Sequence, residues 1–268
     1  MKNIPVVSAI EDVSSYERVI ASTRGEKKSV LDSEKSKVTT ALNKYSDAIV
    51  NGTAKPLGFT DDCKDFHYSL YDGTSIVIKQ LKSDLRSSYD GHNCPYCQID
   101  CVSHIDHFLP RSKFPELSVS RQNLLMSCDT CNSVLKKEIW GNKLRQKIMH
   151  PMLNEILNDV YLIADVNYVP QAIRVDFKIQ TGLTLSPLLN RHFSTMNLND
   201  RYRTRATLLE VPKMSKILAA EPTTPKKTNR LNIFVQDQIL VNEPNSMEHA
   251  FYSKVLAIVP AIATGGLT

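Results

Sequence analysis

The sequence predicts an α+β protein, and three observations carry that prediction. Apolar residues in the first third recur at helical spacing, and residues 173–179 alternate strictly. Five of the six cysteines crowd into the 38 residues from Cys94 to Cys131. The expected organisation is a helical N-terminal region over 1–93, a cysteine-framed module over 94–148 and a mixed C-terminal region over 149–268. At 268 residues, 42% hydrophobic and 23% charged, the chain can build real cores and is not a disordered polymer.

Each element has a local signature. Ser8 with Glu11 forms a capping box that opens a helix running through Val19-Ile20. From Glu26 to Val50 apolar residues (Val30, Leu31, Val38, Leu42, Tyr45, Ile49) keep a helical period, and Asn51-Gly52 stops it. A further helix is expected from about Ser75 to Tyr89, with Ile76, Ile78, Leu81 and Leu85 as its buried stripe and Gly91 closing it. Tyr161–Val166 and Ile173–Ile179 read as two strands joined through Tyr168–Gln171, which contains Pro170. Asn199 or Asp200 can cap a helix through Leu208-Leu209. Pro222, Pro225 and Lys226-Lys227 mark an exposed connection before a last helical segment near Ser246.

Composition excludes several classes. Nine Gly and 13 Pro leave no room for collagen-like or low-complexity architecture. The longest apolar run, Val255 to Ala263, is broken by Pro260 and falls far short of the ~20 residues a membrane span needs. It is expected to be core or a partner-binding helix. No secretory pattern opens the chain, so a soluble, cytoplasmic protein without a membrane partner is expected. The net charge of +5 is uneven. Residues 1–93 carry 13 basic and 13 acidic side chains, whereas 94–150 carry 8 against 5 and 191–268 carry 10 against 6. The surplus therefore sits in and after the cysteine cluster.

Cys94-Pro95-Tyr96-Cys97 and Cys128-Asp129-Thr130-Cys131 are two C-x-x-C knuckles. Two thiolates at that spacing bite one metal from a tight turn, and two such turns complete a tetrahedral zinc site. A redox dithiol, the alternative, needs one reactive pair rather than two. Cys101 reads as a small buried side chain and Cys63 stands apart. Between the knuckles lie His104-Ile105-Asp106-His107-Phe108-Leu109-Pro110-Arg111, then Asn123-Leu124. Ile105 and Phe108 can pack inward, leaving Asp106 and His107 at a strand end. The run from Cys128 to Ile139 suits a helix that carries Asn132 on its first turns. An Asp-His strand end facing an Asn on a helix supplies oxygen donors beside an imidazole, which is chemistry for activating water against a phosphodiester.

The order C-x-x-C, D-H-x-x-P, N-L, C-x-x-C-N-x-x-x-K resembles the HNH endonuclease family in its four-cysteine form, over about Cys94 to Gly141. That resemblance implies a ββα-metal module with one catalytic divalent ion held between hairpin and helix. It makes His107 the general base and Asp106 and Asn132 the ligands of a Mg²⁺ or Mn²⁺ ion. Asn123 would brace the loop that orients the histidine backbone. Cys94, Cys97, Cys128 and Cys131 would hold structural Zn²⁺. His104, on the Asp106 side of an extended strand, could support the site. Double-stranded DNA is the expected substrate, with RNA the other polymer to test.

Arg111 and Lys136 are expected phosphate contacts, against the simpler alternative of solvated charge. In Arg201-Tyr202-Arg203-Thr204-Arg205, Arg201 and Arg205 share a face if helical and could follow a nucleic-acid backbone. Ile105–Leu117 and the preceding helices are also similar to the HNH components of Septu-type anti-phage systems, which implies a separate ATPase partner. The competing class is a zinc-braced nucleic-acid- or protein-binding module without nuclease activity.

Overall fold

Ser8 and Glu11 close the capping box: the Ser8 hydroxyl accepts from Glu11 N–H at 3.2 Å, and Ser8 N–H donates to Glu11 Oε2 at 3.0 Å. The computed structural model describes residues 7–142, 145–146, 148–153 and 160–267. Two compact units emerge, one within Lys2–Glu155 and one within Ile156–Thr268. The architecture is α+β, with helices around two-stranded antiparallel sheets.

The first unit begins with α1 (Ala9–Ala21), α2 (Gly25–Asn43) and α3 (Tyr45–Val50). The single helix expected over Glu26–Val50 is broken at Lys44, yet Leu31, Val38, Leu42, Tyr45 and Ile49 stay on one buried stripe across the break. The sequence gives no warning of α4 (Asp61–Leu70), because its buried face is Cys63, His67 and Leu70 rather than an aliphatic stripe. α5 (Ile76–Ser87) is capped by Ser75, whose hydroxyl accepts from Ile78 N–H at 3.4 Å. Ile78, Leu81 and Leu85 are buried, but Ile76 is 82% exposed. That corrects the predicted stripe: two positions before Ile78 is about 200° around the helix, on the far face.

Next comes an antiparallel hairpin of β1 (His104–His107) and β2 (Leu124–Ser127), with Asp106 opposite Leu125 and His107 opposite Leu124. A one-turn 3₁₀ segment, Pro115–Leu117, lies in the long connection. A helix wound with i→i+5 bonds, Thr130–Lys136, follows β2, and the backbone N–H of Lys137 donates to Asn132 C=O at 2.9 Å. Two short strands, β3 (Gly141–Asn142) and β4 (Arg145–Gln146), follow it in the chain and pair antiparallel with each other.

The second unit is built on the expected hairpin. β5 (Leu162–Val169) pairs with β6 (Ala172–Ile179) through a two-residue turn, Pro170-Gln171, where Gln171 takes φ of 65°. Ile173, Val175, Phe177 and Ile179 are buried, as strict alternation requires. Five helices follow: α6 (Ser186–Thr195), α7 (Leu198–Arg205), α8 (Val211–Ala220), α9 (Thr224–Val241) and α10 (Met247–Val255). α11 (Val259–Gly265) ends the unit.

Two expectations shift in this unit. Neither Asn199 nor Asp200 caps α7, which opens after Asn197 instead; Asn199 Oδ1 accepts from Phe177 N–H at 2.8 Å and ties α7 to β6. Pro225, Lys226 and Lys227 lie in the first turn of α9 rather than in a connection, because proline is tolerated at the start of a helix. Val255, Val259, Ile262 and Ala263 are buried core. Ser246 caps α10 as expected, accepting from His249 N–H at 3.0 Å. Among the described residues no helix is long and apolar enough to cross a membrane.

Candidate active site

The two knuckles converge. The Sγ atoms of Cys94, Cys97, Cys128 and Cys131 all lie within 4.8 Å of one another, and all four residues are buried. Tetrahedral zinc with Zn–S bonds of about 2.3 Å separates its sulfurs by about 3.8 Å; Cys97 Sγ and Cys128 Sγ are 3.9 Å apart. Each knuckle is turned by its own backbone. Gln98 N–H donates to Cys94 C=O at 2.7 Å, and Gln98 itself has φ of 62°. Cys131 N–H points at Cys128 Sγ, 3.4 Å away. Hydrogen bonds from Cys128, Cys131 and Cys94 push the Cys97 thiol toward thiolate, the form a metal requires. The four-sulfur set therefore fits zinc. Cys101 is exposed, against the expectation of burial, and Cys63 lies buried in α4; neither joins the cluster. Among the described residues no other group of three or more His, Cys, Asp or Glu side chains could hold a metal.

β1 carries the expected pair, but its faces differ from expectation. Asp106 is the buried strand residue, 4% exposed, while Ile105 is only half-buried. Asp106 Oδ2 accepts from Tyr96 O–H at 2.7 Å, and Oδ1 accepts from Lys136 Nζ at 2.9 Å. The same ammonium donates to His107 C=O at 2.9 Å. Lys136 is 0% exposed. The expectation that it meets phosphate is therefore corrected: its helix turns it inward, where it is the counter-ion of Asp106. Asn132 lies four residues earlier, on the same side of that helix as Lys136, and is half-buried.

His107 Nε2 lies 2.8 Å from Ser118 C=O. A carbonyl only accepts, so Nε2 carries the proton and Nδ1 of the neutral ring is left as the acceptor. Burial brings the imidazole pKa down to about 4, opposed by the Ser118 bond and by Asp106. Tyr71 packs edge-on against the ring at 4.7 Å between centroids.

The loop that supplies the Ser118 carbonyl is pinned from several sides. Ser118 O–H donates to His67 C=O at 2.5 Å. Buried Asp12 of α1 accepts from Ser120 Oγ and Arg121 N–H, each at 2.6 Å, and from Gln122 Nε2 at 3.2 Å. Asn123, 0% exposed, accepts on Oδ1 from Tyr45 O–H at 3.0 Å and Leu109 N–H at 2.8 Å. Its Nδ2 donates to Leu109 C=O at 3.0 Å and Leu117 C=O at 3.3 Å. Asn123 is thus a brace between the two ends of the loop and has no access to a substrate. Nothing in the sequence marks Asp12 or Ser118 for the site; Tyr96 has a positional signal between two cysteine ligands, and Tyr45 shows only as part of a helix's buried stripe.

The other predicted residues fall in different places. His104 is exposed, with Nδ1 2.8 Å from Ser103 Oγ and Nε2 3.9 Å from Asp129. Arg111 pairs with Asp72 at 2.8 Å and lies over the Tyr68 and Tyr71 rings at 4.2 and 5.1 Å. Arg201 and Arg205 are on α7 in the second unit. Arg201 donates to Met196 C=O at 3.4 Å, and Arg205 pairs with Glu248 at 3.1 Å.

Comparison with known proteins agrees with this geometry. The chain is 28% identical over 150 residues to "Protein ea31" of Escherichia phage lambda, covering 48% of this chain and 48% of that protein. It therefore spans about half the length of the curated relative it matches. No solved structure matches it. The family model described as HNH endonuclease matches residues 94–138, the stretch that holds both knuckles, the β1–β2 hairpin and the following helix. The centre of the chain is an HNH endonuclease domain.

Proposed function

We propose that the chain is a metal-dependent endonuclease that hydrolyses phosphodiester bonds in double-stranded DNA, with His107 as general base. The observation that carries this reading is the His107–Ser118 bond. With Nε2 committed to a carbonyl, Nδ1 is the acceptor that takes a proton from water, and the same carbonyl stabilises the cationic ring that results. With its pKa lowered, the ring is unprotonated and ready at neutral pH.

Asp106 and Asn132 are the residues that would hold the catalytic divalent ion. Their donor set fits, since the Asp106 carboxylate has about four acceptor positions and Tyr96 and Lys136 take one on each oxygen. Hard oxygen ligands suit Mg²⁺ or Mn²⁺. Such an ion, when bound, polarises the scissile phosphate and neutralises the leaving oxygen. The chain's own residues do the rest. Lys136 and Tyr96 fix the Asp106 carboxylate, Asn123 fixes the turn after β1, and Cys94, Cys97, Cys128 and Cys131 would hold a zinc ion that ties the helix to the hairpin.

The test is cleavage of supercoiled plasmid by the zinc-loaded chain with Mg²⁺ or Mn²⁺. Wild type is expected to nick or linearise the plasmid, and His107→Ala to lose at least 100-fold in rate, the lower bound for a general base. Cutting that is unchanged by His107→Ala sinks this role. Binding of plasmid without cutting, in wild type, favours the alternative of a zinc-braced binding module. The Septu-like context, with a separate ATPase subunit, is part of the same proposal and is tested by copurification from the native host.

A further inference from the structure

Tyr71, which closes α4, links the HNH centre to a group of cations outside it. Its ring meets His107 edge-on, with centroids 4.7 Å apart, and Lys82 Nζ of α5 lies 4.0 Å from the same ring. Together these two separations keep the Lys82 ammonium within about 8.7 Å of the His107 ring centroid. Arg111 approaches the Tyr71 ring at 5.1 Å, and Arg86 donates to Lys82 C=O at 3.5 Å.

Charge around Tyr71 is unbalanced. Lys82, Arg86 and Arg111 meet Asp72, whose carboxylate is taken by Arg111 at 2.8 Å. Among the described residues no carboxylate pairs with Lys82 or Arg86. Burial lowers the Lys82 pKa; Asp72 opposes that shift, and Arg86 and Arg111 add to it. Three cations gathered with one acid repel one another, and an anion entering beside them relieves that repulsion. The aromatic face under Lys82 holds the ammonium in place without neutralising it.

We infer that Lys82, seated on Tyr71, is a contact for a phosphodiester backbone, contributed to the nuclease centre from outside residues 94–138. Lys79, one turn earlier on α5, is exposed and has no aromatic seat, which makes it the control. The inference rests on the endonuclease reading for its meaning, but its test is binding rather than cutting.

A labelled DNA duplex is titrated with zinc-loaded full chain carrying His107→Ala, without added divalent ion, over a salt series followed by fluorescence anisotropy. Lys82→Gln is expected to weaken binding three- to ten-fold at 0.1 M salt. It should also flatten the slope of log K against log salt by about 0.9, the value for one lost phosphate contact. Lys79→Gln is expected to change neither. Tyr71→Leu, which removes the seat but leaves the charge, should reproduce part of the Lys82→Gln loss, while Tyr71→Phe should not. Equal slopes for Lys82→Gln and Lys79→Gln overturn the inference, as does failure of the parent chain to bind any duplex. An RNA duplex of the same sequence, run in parallel, identifies which polymer carries the backbone. If binding shows the Lys82 dependence and the wild-type chain cuts nothing, the contact stands and the endonuclease reading falls.

Discussion

The Lys136 ammonium and the Asp106 carboxylate face each other at 2.9 Å, with side chains 0% and 4% exposed. Breaking such a buried pair from one side strands a charge, which costs about 3–5 kcal/mol, whereas removing both members is far milder. Lys136→Met is therefore expected to destabilise the zinc-loaded chain by that amount, and Asp106→Asn with Lys136→Met to recover most of it. Urea denaturation of the two single variants and the double variant measures the coupling. Additive losses would mean that the two side chains act separately.

The four-cysteine cluster predicts metal content and its consequence. Elemental analysis should find about one zinc per chain, unchanged by Cys63→Ser or Cys101→Ser, since neither joins the cluster. Cys131→Ser should lose zinc, and with it the packing of the helix after β2 against the hairpin. In a site this small the metal supplies folding energy directly. Loss of near-ultraviolet circular dichroism on chelation, reversed by added zinc, would register this. A Cys131→Ser chain that keeps both its zinc and its cooperative unfolding would contradict it.

Chemistry was more legible in the sequence than fold. The two knuckles announce themselves because four thiolates around one metal need a fixed residue type at fixed spacing, and the proposed base and ligands, His107, Asp106 and Asn132, stand out by residue type for the same reason. The β5–β6 hairpin was legible for a similar reason, since a buried sheet face forces a period of two. What stayed hidden depends on contacts between residues far apart in the chain. Asp12 meets Ser120, 108 positions away, and Tyr45 meets Asn123, 78 positions away. α4 was invisible because its buried face uses cysteine and histidine, which no apolar period detects. Lys136 was misread because a lysine is solvated by default, and only a buried carboxylate in reach reverses that.

Asn123 and Asn132 should separate cleanly. Asn123→Ala removes four side-chain hydrogen bonds in a fully buried place, leaving Leu109 and Tyr45 without those partners. A loss of about 2–4 kcal/mol in stability is expected, since each stranded group costs about 1–3 kcal/mol and the site partly relaxes. Asn132→Ala touches a half-buried helical position and should shift stability by less than about 1 kcal/mol while abolishing divalent-ion-dependent cleavage. Denaturant midpoints read against plasmid cleavage rates give the comparison. Equal effects on both quantities from both variants would overturn the division of labour between them.

Stability should peak in pH, with its two flanks set by different buried groups. Burial lowers His150 to about 3 and His107 to about 4, so between those values and the ordinary 6.5 the unfolded chain binds more protons than the folded one. Stability therefore falls as pH drops from about 6.5 toward 4. Glu116 works in the opposite sense. Burial raises it to about 7 from 4.5, although Leu57 N–H, donating at 2.9 Å to Oε1, favours the charge. The folded chain then holds the extra proton, and stability is lost as pH rises from about 4.5 through 7. His67, also lowered by burial, adds to the acid flank, and Asp12, also raised by burial, adds to the flank set by Glu116. With three histidines against two acids the maximum should sit near pH 6–7. Glu116→Gln keeps an acceptor for Leu57 and removes the buried charge, so it should stabilise the chain at pH 8 by about 1–3 kcal/mol and leave it unchanged near pH 4.5. Urea denaturation at the two pH values decides this. A Glu116→Gln chain that is no more stable than wild type at pH 8 would show that burial does not raise Glu116.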